Sequence, residues 1–486
     1  MSKFQEIKFY KAPQFSPYTL LPLRFIPLDQ EHYVLTNLAG EYLRVKRGTL
    51  LDFLRHKLSN EDPNYTELRA RHFLIDEASS IGPELLALKV RSKYSRLSEF
   101  TGLHIFVVTL RCEHSCPYCQ VSRQSEDKLR YDMSTEVALG AIDLTFRSPS
   151  KNIKIEFQGG EPLLNFDLIK YIVLEAKKKN QESGKNLAFV IATNLALISY
   201  DILRFCREHS ILISTSLDGP RALHNANRPR PGSNSYEKTI EGIKLVREML
   251  GRDQISALMT TTEASLNCAR GIIDEYLAQD FKGIFLRPLS PYGFAVKTKS
   301  YRAYDAERWL EFYTQGLDYI IELNRRGAEF VEYYALTILK KMLTSEDPGY
   351  VDLTSPSGIG IGAVAYNYDG YVYASDESRM LAEMGDTTFR LGRVLENSYE
   401  EIFTSASLLE PLEASFAYSV PMCNDCAFES YCGADPVFHY RIHGDFVGRK
   451  PESEFCFRNM AIFRFLIQKM ETDTFAKQLF VKWANS

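Results

Sequence analysis

The chain of 486 residues carries 58 basic and 62 acidic side chains, a formal net charge of −4, with 45% hydrophobic and 25% charged residues. These are the proportions of a folded protein of roughly three domains at about 150 residues each. They exclude general disorder, a collagen-like fibre, and a chain built to coat nucleic acid or an anionic membrane. The first residues, MSKFQEIKFYK, lack the apolar stretch of a secretory signal, and no apolar run nears the ~20 residues of a bilayer span, so a soluble cytoplasmic protein is expected.

In chain order, residues 20–27, 33–36 and 41–47 alternate like short strands, with Asp29-Gln30 and Leu38-Ala39-Gly40 as turn signals; helices at 48–58 and 65–74 follow. Residues 103–110 read as a buried strand that runs into Arg111-Cys112-Glu113-His114-Ser115-Cys116-Pro117-Tyr118-Cys119. Helix 134–147 has Ser134 as N-cap, Glu136 in its first turn, and Val137, Ala141 and Leu144 on one face. Strand 153–158 leads into Gly159-Gly160-Glu161-Pro162, whose glycines would let the backbone approach a ligand and whose Glu161 can accept from an ammonium. The next helix has Asn165 as candidate cap, a core stripe of Leu168, Ile169, Ile172, Val173 and Ala176, and Gly184 as stop signal. Its run Lys177-Lys178-Lys179 has no interleaved aromatics and reads as a solvated helix end. Strands at 187–192, 211–216, 254–260 and 282–287, with helices at 199–209, 236–248 and 267–278, complete six βα steps. Such alternation specifies a parallel sheet with helices outside, too short for a full eight-fold barrel of about 250 residues.

Of nine cysteines, Cys206 and Cys268 stand alone and read as small buried hydrophobes. The other seven fall into two groups, Cys112, Cys116, Cys119 and Cys423, Cys426, Cys432, Cys456. A disulfide framework belongs to short secreted chains, so metal binding is the better reading. Three thiolates leave one iron of a [4Fe–4S] cube without a protein ligand. Four can saturate a cube or a zinc ion, and their spacing does not separate the two.

A strand, then CxxxCxxC with Tyr118 before the last cysteine, then GGEP one βα unit later, resembles the radical SAM superfamily. The resemblance implies a partial (β/α)6 TIM-like barrel with its site at the C-terminal strand ends. It further implies a [4Fe–4S] cluster on Cys112, Cys116 and Cys119, S-adenosylmethionine on the open iron, and contacts from Tyr118 and from Gly159, Gly160, Glu161 and Pro162. Residues 214–220, with His224 and Arg228, resemble the SxDGP segment of the peptide- and sulfatase-modifying branch, which implies that Ser216 and Arg228 hold the cofactor's ribose or carboxylate. Asn194 is a further candidate, although Leu195 stands where the family often has glycine. Arg287 ends the sixth strand and is either an adenine-side contact or structural. The sequence names no catalytic side chain or general base.

The C-terminal cysteines resemble a SPASM extension, which normally carries seven cysteines and two auxiliary clusters. Here Ser375 and Pro436 stand at two of the positions belonging to the first cluster, and no cysteine occurs between 269 and 422. This implies one auxiliary [4Fe–4S] cluster on Cys423, Cys426, Cys432 and Cys456, with the scaffold of the lost one kept near 358–375. The N-terminal strands and helices resemble a winged-helix peptide-recognition domain; an ordinary α+β cap is the alternative. The expected organisation is 1–99 winged-helix-like, 100–300 radical SAM partial barrel, 301–350 helical linker, and 351–486 SPASM-like. The whole pattern resembles the radical SAM maturases of His-Xaa-Ser peptide systems. That implies a ribosomally made precursor peptide, a second radical SAM protein as partner, and an electron donor such as flavodoxin or ferredoxin, with no nucleic acid or membrane partner. Competing readings are an anaerobic sulfatase-type maturase oxidising one Ser or Cys, and a non-catalytic iron–sulfur subunit that binds peptide and activates a partner enzyme.

Overall fold

A computed structural model describes residues 17–302 and 304–486. Its centre is an eight-stranded sheet in the spatial order 255–258, 211–216, 186–193, 152–159, 103–109, 363–366, 371–373, 390–393. The first six run in one direction, parallel to one another. The last two close the edge as antiparallel strands. The parallel strands are near-continuous apolar runs because helices cover them; Ile105, Phe106, Val107 and Val108 are all buried. The fold is α/β, a partial barrel of parallel strands.

The helix Thr135–Arg147 starts on Ser134, whose side chain accepts from the Val137 amide, as its sequence indicates. Helix Phe166–Ser183 ends on a left-handed Gly184. Asn165 departs from expectation: its side chain makes no cap bond and instead donates to the Val108 carbonyl at 2.9 Å, tying this helix start to the first strand. Cys206 is buried, whereas Cys268 is only partly so and sits at the start of helix Ala269–Ala278.

The sixth strand also departs. Only Gly283–Ile284 is extended, and it pairs with Val331–Glu332 instead of with Ile255–Leu258. The reason is Glu332, a buried carboxylate that accepts from the Leu286 and Ala335 amides and from Tyr313 Oη. Those bonds draw residues 283–286 outward. The link back to the barrel is Thr261, whose amide and hydroxyl both donate to the Arg287 carbonyl.

The N-terminal strands Leu23–Pro27, His32–Asn37 and Tyr42–Lys46 form an antiparallel sheet. Helices Arg47–Leu54 and Pro63–Ala70 follow, and a third, Gly82–Tyr94, lies beyond the helices expected from the sequence, with Pro83 and Glu84 in its first turn and Arg91 and Lys93 in its last. This sheet packs on the C-terminal cysteine region. Thr36 Oγ1 donates to the Ala427 carbonyl, Tyr431 Oη to the Gly40 carbonyl, and Arg24 pairs with Glu429 at 3.2 Å.

Candidate active site

Strand Leu103–Thr109 delivers the first cysteine loop to the C-terminal end of the sheet. Arg111, almost fully buried, forms a two-pronged pair with Asp132 at 2.7 and 2.8 Å and also donates to the Leu164 carbonyl. The loop is clamped further on: Ser115 N bonds the Pro229 carbonyl and Phe294 N the Cys119 carbonyl. Cys112, Cys116 and Cys119 thereby line one cavity of about 230 Å³ together with Gly159, Gly160, Asn194, Ser216, Arg228 and Arg287.

Glycines 159 and 160 are required by the chain itself. A Cβ at Gly159, where φ is +149°, would lie 1.8 Å from the Thr109 carbonyl oxygen, and one at Gly160 would lie 2.3 Å from that of Arg111. Their smallness lets the second strand end press against the cysteine loop. Glu161 is wholly buried, accepting from Thr193 Oγ1 at 2.7 Å and from the Leu163 and Asn194 amides. Burial, with Glu113 nearby, pushes its carboxyl up to about 8. Glu161 and Pro162 stand behind the cavity wall and not on it. Asn194 donates to Glu113 Oε1 at 2.9 Å, so the third strand end also braces the cysteine loop.

Tyr118 and Arg228 meet on Asp218, the aspartate of the SxDGP segment, to which the resemblance assigns no role of its own. Tyr118 donates to Asp218 at 2.6 Å, and Arg228 pairs with both carboxylate oxygens at 3.0 and 3.1 Å while its guanidinium lies over the Tyr118 ring. Burial would raise the Asp218 carboxyl, but Arg228 beside it holds it low. Arg228 still borders the cavity, yet its charge is matched by Asp218. Two further residues reach the cavity from the C-terminal region, Asp376 and Met380. They follow Ser375 by one and five positions, and chain distance hid them.

The donor sets fit the implied groups. Three thiols face one cavity in which the buried Thr215 Oγ1 lacks a partner, and a small polar ligand would satisfy it. Cys112, Glu113 and His114 also offer atoms within 4.8 Å of one another, but His114 is already held at both ring nitrogens by Glu113 and Ser235. The four C-terminal cysteines line a second cavity of about 340 Å³, walled by Phe428, Phe455 and Phe463 and by Phe25 and Ile26 of the N-terminal sheet. The Phe428 amide donates to Cys426 Sγ at 3.4 Å, and Lys450 borders the same cavity, so four thiolates would find a cation and an N–H donor there. Ser375 caps helix Asp376–Ala382, and Pro436 is the first residue of helix Pro436–His443.

Residues 106–262 match the model of the radical SAM superfamily. The chain carries a radical SAM domain. Among curated proteins, a cysteine-type anaerobic sulfatase-maturating enzyme of Clostridium perfringens is 22% identical over 66% of this chain and 84% of its own. The chain spans 46% and 32% of the length of two other curated relatives. Among solved structures, native anSMEcpe with bound AdoMet and Cp18Cys peptide superposes with a TM-score of 0.61 at 18% identity, covering 79% of this chain and 99% of that one. Streptococcus suis SuiB bound to its precursor peptide SuiA does so with 0.52 at 14% identity, covering 90% and 99%. These likenesses establish the fold. Among the described residues, no helix is long and apolar enough to cross a membrane.

Proposed function

We propose that this protein is a radical SAM enzyme that modifies a ribosomally made peptide by hydrogen abstraction followed by bond formation or cross-linking. The observation that carries the reading is the convergence of Cys112, Cys116 and Cys119 on a cavity formed by the C-terminal strand ends. When bound there, a [4Fe–4S] cluster supplies the electron that cleaves S-adenosylmethionine to methionine and a 5′-deoxyadenosyl radical. The chain's own part is placement. The Asp218–Arg228–Tyr118 clamp and the Arg111–Asp132 pair hold the cysteine loop. Ser214, Thr215 and Ser216 offer hydroxyls to a ribose, and Gly159 and Gly160 leave room beside the thiols. Cys423, Cys426, Cys432 and Cys456 hold one auxiliary cluster, and the precursor peptide carries His-Xaa-Ser repeats. Residues 1–99 recognise a leader peptide. A second radical SAM protein and a flavodoxin or ferredoxin act with the enzyme in the cytoplasm.

Cys116→Ala should abolish 5′-deoxyadenosine formation under dithionite, and persistence of that product refutes the reading. Anaerobically reconstituted protein should carry about eight irons per chain for two [4Fe–4S] clusters. Near four, with zinc present, removes the auxiliary cluster. A second reading, oxidation of a single Ser or Cys, draws support from the length of the match to the Clostridium perfringens enzyme. Mass spectrometry decides: that reaction leaves an aldehyde on one residue, whereas a cross-link joins two.

A further inference from the structure

Between the two cysteine cavities lies a third, small one, of about 50 Å³. It shares Arg287 with the first and Phe455 with the second. Its wall carries three carboxylates, Asp352, Glu377 and Asp435, and two guanidinium groups, Arg287 and Arg458. Glu377 stands 3.6 Å from Arg287.

Three donors on the same wall have no partner: Tyr292 Oη, Trp309 Nε1 and Arg458 Nη1. Tyr292 and Trp309 each keep only 1% of their surface exposed, so bulk water does not satisfy them. An unpaired buried donor is unfavourable, and three around one void mark a ligand. A metal cation would answer the carboxylates and leave the three donors unpaired. An anion would answer the donors and meet three acids. Water does both, and the void has room for about three or four molecules.

We propose that this chamber is a hydrated proton-acceptor site, which takes the proton released when the peptide substrate forms its new bond. This rests on the function proposed above. The substrate hetero-atom loses a proton, water beside Arg287 relays it, and the carboxylate of Glu377 becomes a carboxylic acid; no electron moves in this step. Asp352 and Asp435 extend the store. Burial, reinforced for Asp352 by Asp435 and Glu377, raises all three carboxyls, which favours their protonated forms. The chamber occupies the ground behind Ser375 and Pro436, because Glu377 and Asp435 are within two residues of them.

The test uses the full-length reconstituted enzyme and its variants E377Q and D352N. Modified peptide per 5′-deoxyadenosine should fall roughly 100-fold in E377Q, with S-adenosylmethionine cleavage within about twofold of the parent, the scale of a lost proton-transfer group. Infrared spectroscopy without peptide should show a deuterium-sensitive carboxylic acid band at neutral pH that D352N removes. An unchanged product ratio in E377Q overturns the proposal. So does an equal loss of cleavage and modification, which makes the chamber a support for the cofactor cavity, and so does a missing infrared band. If the parent enzyme does not cleave S-adenosylmethionine, the functional reading fails, and the band alone then decides whether the chamber stores a proton.

Discussion

At the scale of single residues, Asp218 joins Tyr118 and Arg228 beside the cavity that Cys112, Cys116 and Cys119 line. It is fully buried, and Arg228 is its matching charge. Removing one partner of a buried pair leaves an uncompensated charge and costs about 3–5 kcal/mol. Arg228→Met should therefore lower the unfolding free energy read from urea titration by that amount, and adding Asp218→Asn should restore much of it; additive losses would show that the pair does not act as a unit. Leu195 tests a different balance. It holds φ at +66° where the family often has glycine, and its side chain is buried against Gly242. Glycine would relieve ~1–2 kcal/mol of backbone strain. Losing a buried leucine side chain costs ~2–5 kcal/mol. Packing wins, so Leu195→Gly should be destabilising in thermal unfolding, and a stabilised variant would refute this ordering.

At the scale of elements, two helix starts stand at Ser375 and Pro436, where the resemblance to a SPASM extension implies cluster ligands in other proteins. Ser375 closes a capping box with Ser378, and Asp435 caps the helix that Pro436 opens by accepting from the Phe438 amide at 3.0 Å. Burial pushes the Asp435 carboxyl up to about 6, from an ordinary value near 4. In that window the folded chain binds more protons than the unfolded one, so stability falls as pH rises from about 4 to 6 and levels above. Asp435→Asn keeps the cap and removes the proton; its stability should lose this slope in urea titrations between those pH values. A slope identical to the parent's would assign the titration elsewhere. The sequence marks Ser375 and Pro436 only as missing cluster ligands; that each stands at a helix start is decided by the structure. The convergence of Glu377 and Asp435 on one chamber was not legible either, because 57 residues of chain separate them.

At the scale of the whole molecule, the N-terminal sheet forms part of the wall around the C-terminal cysteines. Phe25 and Ile26 line that cavity, and Arg24 grips both Glu429 and the Asn424 carbonyl. Arg24→Ala should speed the loss of C-terminal iron to a chelator while leaving the iron at Cys112, Cys116 and Cys119 unaffected, read by following the two clusters spectroscopically. Equal rates of loss would mean that the sheet does not guard the site. In the central eight-stranded sheet, strand 103–109 lies between strands 152–159 and 363–366, so the element that bears the cysteine loop is flanked on both sides.

Local chemistry needs no tertiary information. The two cysteine groups, the alternating strands and helices, the Ser134 cap and the Gly184 stop are each carried by neighbours in the chain, because spacing and periodicity act over a few residues. The partners of the site are a different matter. Glu161 turning to Thr193, Arg228 spent on Asp218, Asp376 entering the cavity and the sixth strand drawn off by Glu332 all depend on contacts across tens to hundreds of residues. Burial made those choices: once a charge leaves water it must find its counterpart in space, and only the folded chain says which one stands there.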